Sequence, residues 1–491
     1  MFKIQKWNPF SISLYIAATL VTLSQALTIS SVPKPIDSSG WPYKFPAKEH
    51  CSKCGLCETT LVRHVTEACA FLDEGMSKID RIPNYSSLTT QTLEHQTHQR
   101  GRHEFESERS VNNKKRADES RFGVMTRPML LAKGIGLEDA QWTGCVTSIA
   151  LSMLECNMVD AVVCIASSSS WSDPEPILAR TTGDVLRGRG VKPALAPSLK
   201  VLDKVIDDPS IRRLLFCGVG CAVQAFRSIQ HLLKLEQVYV LGTNCADNSP
   251  NPTAAQNFIQ RGIGIDPSQV RGYEFMADFS VHVKVMGDTY IKKPYFCLPS
   301  DLAAQSIAPS CLACFDYTNA LADVVIGYMA APLSTGGNMD TSYQTLTIRN
   351  SRGEQMIQAA LDRSRLQLGP EAIGYGASHE DLTLATVTAD GIVQNMIGED
   401  KPKPSMPLWL GNIIASFLAF IGPRGVDFAR YSIDYHILRN YLHVLSYFGE
   451  EYALRSLPQY AWDIVNHYEN TYDAFRILSD QVKAKSTRKK R

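Results

Sequence analysis

From Gly123 onward the chain alternates between short apolar runs and longer stretches whose apolar residues recur every three or four positions. After Thr143-Gly144, the spacing of Val146, Ile149, Ala150, Met153 and Leu154 predicts a helix to about residue 158. Residues 161–166 (AVVCIA) form a continuous apolar run, the pattern of a strand buried on both faces. Residues 213–217 (RLLFC) repeat that pattern and lead through Gly218-Val219-Gly220 into a helix carrying Ala225, Ile229 and Leu233. Residues 238–242 (VYVLG) and 323–328 (DVVIGY) predict a third and a fourth strand. Strands separated by helices predict an α/β fold, a mainly parallel sheet flanked by helices. Ligands of such sheets gather beyond the carboxyl ends of the strands. Cys217 and Cys221 follow one strand end and Cys245 the next, so two neighbouring strands present thiols on one rim.

The two ends of the chain read differently. Lys3 and Lys6 precede an apolar stretch over 10–23, and Ser24 and Ala26 supply a cleavage site, so 1–26 reads as a signal peptide. Residues 27–40, rich in Ser, Thr, Pro and Lys, resemble the transit half of a bipartite presequence, which implies import into the plastid stroma; ordinary secretion is the alternative. No later run reaches the length needed to span a bilayer, which predicts a mature protein that is soluble or peripheral to a membrane. Residues 83–122 are polar and predict a flexible loop that contains His95, His98 and His103. Residues 407–421 are strongly apolar, Gly422-Pro423 interrupts them, and 426–447 return to helical spacing with many aromatics. That stripe predicts core or subunit packing, with a pigment-facing or membrane-touching surface as the alternative.

Composition narrows the chemistry. The 491 residues, 44% apolar and 20% charged, suffice for two or three domains, and a net charge of +1 gives no support for nucleic-acid binding. Thirteen cysteines are an odd number, and Cys51, Cys54 and Cys57 are too crowded for three separate disulfides. Cys51-x2-Cys54-x2-Cys57 puts three thiolates on one tight loop, as a cubane iron-sulfur cluster requires, with Cys69 of EACAF as the fourth ligand and zinc as the alternative metal. Cys221, Cys245, Cys311 and Cys314 make a second four-thiol set, for which Cys217 is a rival ligand. Cys156, Cys164 and Cys297 read as small buried hydrophobes, and Cys145 has no assignment. Asp316 and Tyr317 directly follow the C-x2-C and are the candidate proton donors. The helix start at Thr143-Gly144 suits a phosphate, with Arg180, Lys192 and Ser198 in a connection able to reach the same rim. No complete G-x-G-x-x-G follows a strand, which argues against a nicotinamide site.

The motifs CSKCGLC (51–57), EACAF (67–71), AQWTGCVTSIA (140–150), LLFCGVGCAVQAFRS (214–228), YVLGTNCADN (239–248), YEFMADF (273–279) and APSCLACFDYTNALADVVIGYM (308–329) resemble those of one family. It is the beta-subunit family of coenzyme F420-reducing hydrogenases, with its plastid relatives. The resemblance implies an iron-sulfur flavoprotein with FAD and two 4Fe-4S clusters, reduced ferredoxin as donor and a chlorophyll-type tetrapyrrole as substrate. The reaction would remove a 7-hydroxymethyl hydroxyl or, alternatively, saturate an 8-vinyl group; a non-catalytic electron-transfer subunit is the reading from another class. It also implies that Trp142, Thr143, Gly144 and Thr147 belong to the flavin site, with Lys192 and Asn319 nearby. The expected division is 41–82 for an N-terminal iron-sulfur region, 123–210 for the flavin-binding part, 211–400 for the part with the second cluster and 401–491 for a helical region, in a homo-oligomer.

Overall fold

The computed structural model describes residues 51–69, 74–81, 120–287, 289–299, 301–333, 337–398 and 405–489. The predicted signal peptide, the transit segment and most of the polar loop, with its three histidines, lie outside the described residues.

Eleven strands matter for the site: β1 (Leu130–Gly134), β2 (Ala161–Ser167), β3 (Pro174–Ala179), β4 (Arg213–Val219), β5 (Gln237–Thr243), β6 (Val270–Phe275), β7 (Ser280–Val285), β8 (Thr289–Pro294), β9 (Val324–Gly327), β10 (Gln344–Ile348) and β11 (Leu366–Glu371). Eight of them form one sheet in the order β11-β1-β10-β9-β5-β4-β2-β3. Its centre, β2-β4-β5-β9, is parallel, and antiparallel strands extend it at both edges. The four strands read from apolar runs are the four parallel ones. They are covered on both faces, so their pattern is continuous rather than alternating. Val162, Val163, Leu214, Leu215 and Phe216 are fully buried, each contributing about 1.5–3 kcal/mol of hydrophobic stabilisation.

Helices Cys145–Glu155 and Ser351–Asp362 cover one face, and Gly220–Ile229 covers the other. The buried Asp323 at the start of β9 ties the layers together. It accepts from Val240 N (2.8 Å) and Asn350 Nδ2 (2.7 Å) and pairs with the buried Arg227 (3.1 Å). Strands β6, β7 and β8 form a separate antiparallel sheet.

The C-terminal region is a helical bundle around Val426–Tyr447, against which His379–Ala389, Gln459–Thr471 and Asp473–Lys489 pack. The apolar segment before it forms the helix Leu408–Ile421, and the expectation of packing holds for one face only. Gly411, Ile414, Ala415 and Leu418 are buried, and a side chain at Gly411 would collide with Cys297 Sγ. On the other face Trp409, Ile413 and Phe420 are exposed at 66%, 58% and 74%. Among the described residues no helix is long and apolar enough to cross a membrane.

Candidate functional site

The rim beyond β4 and β5 carries a cavity of about 110 Å³. Cys51, Cys54, Cys57, Cys69, Cys221, Cys245, Cys311 and Cys314 all line it. All eight are half-buried, whereas Cys145, Cys164, Cys217 and Cys297 are buried.

The N-terminal thiols sit on a loop wound by two left-handed residues, Lys53 (φ 52°) and Gly55 (φ 75°). Glycine is required at 55 on two counts, because a Cβ there would also lie 2.6 Å from Pro197 Cβ. The turn aims Lys53 N–H at Cys51 Sγ (3.3 Å), and Cys69 follows the short helix Val62–Glu67. The segment packs on the body of the protein through Val65, Leu56 and Leu61, and polar contacts join it: Thr59 and Thr60 donate to Asp203, Gln224 Nε2 donates to Ala68 O, and Ser310 N donates to Ser52 Oγ.

The second set comes from three places on the rim. Cys221 opens the helix Gly220–Ile229, directly after β4; Cys245 follows β5; Cys311 and Cys314 flank a single 3-10 turn. Gly220 has no room for any side chain, since Asp316 O and Oδ2 would stand 2.4 and 2.8 Å from its Cβ. Cys245 N donates to Tyr317 O (3.3 Å), joining two of the three loops.

The helix Val426–Tyr447 closes this rim. Asn440 Nδ2 donates to Cys311 O (2.7 Å) and Cys314 O (2.9 Å) and lies against the Tyr317 hydroxyl. Its neighbour Arg439 makes two 2.8 Å bonds to Asp247, two residues beyond Cys245. Sequence reading missed Asn440, Arg439 and Asp247. Asp247 lies inside the YVLGTNCADN motif, but an Arg-Asn pair in the middle of a helix carries no periodic signal.

Electrostatics divide the eight thiols into two groups of four. Burial pushes Cys54 up to about 12, and the neighbours that add to the rise are Cys69, Cys51 and Cys57. Burial raises Cys57 to about 11, with Cys51 and Cys69 adding. On the rim, burial raises Cys221, Cys245 and Cys314 well above the ordinary thiol value; Cys311 and Cys314 add at Cys221, Cys311 and Cys221 at Cys245, and Cys311 and Cys245 at Cys314. The link between the groups is Cys54, whose charge Cys221 feels. Crowded thiols of this kind are held neutral until a metal displaces their protons. Soft thiolate donors in fours, with N–H groups turned towards the sulfur, suit iron-sulfur clusters. Among the described residues no group of three His, Cys, Asp or Glu side chains closes on a single metal ion. The thiols surround a shared volume instead.

Cys217 lies elsewhere. Strand alternation puts it with Leu215 on the other face of β4, where burial raises it and the one thiol it feels is Cys164. Asp316 and Tyr317 do line the cavity. Asp316 is fully buried, its Oδ1 accepts from Ala320 N (2.8 Å), and burial lifts its carboxyl to about 6.

The predicted flavin residues do not share that cavity. Trp142, Thr143, Gly144 and Thr147 form one continuous helix start, where Gly144 (φ 80°) precedes Cys145–Glu155. Thr143 Oγ1 accepts from Gly134 N (3.1 Å) and donates to Gln344 Oε1 (3.2 Å). Lys192 adjoins this loop, since Val191 N donates to Gln141 Oε1, but its ammonium is spent on the carbonyls of Gly188, Arg189 and Gly190. Burial lowers that ammonium to about 8. Asn319 sits at the thiol rim, its amide donating to Gly218 O (2.8 Å) and Thr243 O (3.3 Å), where it fastens β4 to β5. Arg180 pairs with Asp208, and the Ser198 hydroxyl turns to Ala196 O.

The helix start is therefore the part of the set that the fold brings together. Trp142 is buried and stacks on Tyr328 (5.0 Å between centroids, 19°), and its indole N–H makes no hydrogen bond of normal geometry. Gln141 beside it lines a second, open groove of about 730 Å³ with Trp171, Arg189, Arg271 and Lys284. The groove was not foreseen from the sequence.

Comparison with known proteins gives a family and several relatives. The family is described as the coenzyme F420 hydrogenase/dehydrogenase beta subunit; its C-terminal part matches residues 211–372, and its N-terminal part matches 133–203. The chain is 43% identical over 426 residues to the 7-hydroxymethyl chlorophyll a reductase, chloroplastic, of Oryza sativa subsp. japonica, covering 87% of this chain and 84% of that one. An uncharacterised protein of Nostoc sp. is 37% identical over 425 residues, 86% of this chain and 94% of its own. The coenzyme F420 hydrogenase subunit beta of Methanococcus voltae is 25% identical over 236 residues, 47% of this chain and 79% of its own.

Proposed function

The chain belongs to the coenzyme F420 hydrogenase/dehydrogenase beta-subunit family, and from that premise we propose that it is an oxidoreductase of chlorophyll metabolism that reduces 7-hydroxymethyl chlorophyll a to chlorophyll a. Its place of action is the plastid, in keeping with the chloroplastic relative. The observation that carries the reading is the gathering of eight thiols, in two groups of four, around one cavity in a chain 43% identical to such a reductase.

Cys51, Cys54, Cys57 and Cys69 would hold one 4Fe-4S cluster and Cys221, Cys245, Cys311 and Cys314 the other, while the helix start at Trp142, Thr143, Gly144 and Thr147 would hold FAD. Clusters store single electrons from a donor such as reduced ferredoxin, and a flavin converts them to the pair that the substrate needs. The chain's own work is positional. Asn440 and the Arg439–Asp247 pair fix the rim loops, Asn319 fixes β4 against β5, and the bundle helix closes the rim against water. Replacing a hydroxyl by hydrogen takes two electrons and two protons and releases one water, so a proton source is part of the machinery.

The test is turnover by anaerobically purified holoprotein. With reduced ferredoxin and 7-hydroxymethyl chlorophyll a, chromatography should show chlorophyll a accumulating. Conversion of a divinyl pigment instead would replace this substrate by the 8-vinyl one, and conversion of neither would leave only electron transfer.

A further inference from the structure

Glu274 of β6 is a buried carboxyl that none of the roles above uses. Its Oε1 accepts from Gln141 Nε2 (3.0 Å), and Gln141 is itself held through Val191 N, so the carboxyl is fixed against the loop that carries Trp142. The Tyr328 hydroxyl and the Trp142 indole, stacked on each other, approach the same carboxyl. Cys245 of the rim set feels its charge. Glu274 therefore lies against the loop assigned to the flavin, within electrostatic reach of the second thiol group.

Its surroundings hold no compensating charge. Tyr273 on the same strand and Tyr295 beyond β8 feel its charge and are neutral phenols. His282, opposite it in register on β7, is bonded to Asp278 (2.7 Å). Lys284 of β7 turns to Ala140 O (3.3 Å) and to Asp340 (4.0 Å). Among the described residues no cation pairs with Glu274. Burial raises the carboxyl to about 7, with Tyr328 and Trp142 offsetting part of the rise. An uncompensated buried carboxyl of this kind gains or loses its proton when a nearby charge changes by one unit.

We propose that Glu274 is the proton-storing residue of the reduction, taking up a proton from solvent as an electron arrives at the rim thiol site and giving it up when the product is formed. The balance is one electron and one proton stored together. Glu274 holds one of the two protons; with a second proton from solvent and two electrons from a one-electron iron-sulfur donor, a hydroxymethyl group becomes a methyl group and water. By linkage the coupling is reciprocal, so a group whose proton affinity rises on reduction makes reduction easier at low pH. Glu274 touches Gln141, Tyr328 and Trp142 rather than the rim sulfurs, so its effect on the rim is electrostatic.

The proposal rests on the assignment of the rim thiols to a redox centre, but not on the identity of the pigment. The test is a redox titration of the holoprotein at several pH values, with E274Q and E274D. In the wild type the potential of one centre should be level below about pH 7 and fall with rising pH above it, until the proton is lost from the reduced state as well. E274Q should abolish that slope while keeping iron and flavin stoichiometry, and E274D should restore it with a shifted break. The reduced-minus-oxidised infrared spectrum should gain a protonated-carboxyl band that E274Q lacks. Turnover by E274Q should fall about tenfold or more in kcat with KM little changed. An unaltered pH slope and carboxyl band in E274Q would overturn the proposal, whatever happens to activity. A wild type that shows slope and band but converts no pigment would leave the proposal standing and remove the substrate reading.

Discussion

Two groups of four thiols reach the same cavity by opposite means. The N-terminal group is local in sequence, set by seven residues of tight loop and a short helix, and it rests on the body of the protein through Val65, Leu56 and Leu61, packed in the core beside β4, and through several hydroxyl and amide contacts. The rim group is assembled from three loops and locked by a helix more than a hundred residues further on. Local winding gathers the first group within one short segment. The second depends on the whole α/β domain and its C-terminal bundle, so its integrity and global stability are linked.

The largest test of this contrast is Arg439→Met. It leaves Asp247 buried without its bidentate partner and should cost about 3 kcal/mol or more in denaturant unfolding. About half of the iron should be lost, with the N-terminal share retained; equal loss from both groups would erase the distinction. Asn440→Ala follows, since it strips the Cys311 and Cys314 carbonyls of their donor and should cost about 2 kcal/mol with the same selective loss of iron. Cys54→Ser should also remove about half of the iron but move the unfolding midpoint less than either, while Cys217→Ser should leave the iron content unchanged.

The smallest effect is expected at Asp160, below the far end of β4. Its hydrogen bonds to Arg213 and to the N–H groups of Arg212 and Arg213 hold it at about 2, below the ordinary carboxylate value. A depressed acid stabilises the fold at pH values above its unfolded value near 4 and loses that contribution as pH falls through about 2. The pair is partly exposed, which limits the contribution to about 1 kcal/mol or less. Asp160→Asn should therefore lower stability slightly at pH 7, flatten its acid dependence and leave both iron populations intact.

The contrast also governs how much the sequence discloses. The C-x2-C-x2-C loop and the four parallel strands were legible because crowded thiols and continuous apolar runs have few other uses. Cys221 and Cys245 followed from their place after strand ends. Cys217, only four residues away, was separable from Cys221 only once alternation along β4 was known. The β6-β7-β8 sheet escaped notice, although Gly287-Asp288 between two short runs is a hairpin signal. Glu274 escaped with it, because a buried carboxyl on an unread strand looks like surface charge. Arg439 and Asn440 could not be read at all: their role is defined by partners 123 to 192 positions away.

The helix that locks the rim lies far along the chain, and this sets an order of construction. As the polypeptide leaves the ribosome, the four thiols of the first set are all present once Cys69 has emerged, whereas the second set lacks its fastening until Asn440 has followed. The two sets are therefore supplied at different times, and a chain cut short before that helix would carry the thiols of the second set without the means to keep them together.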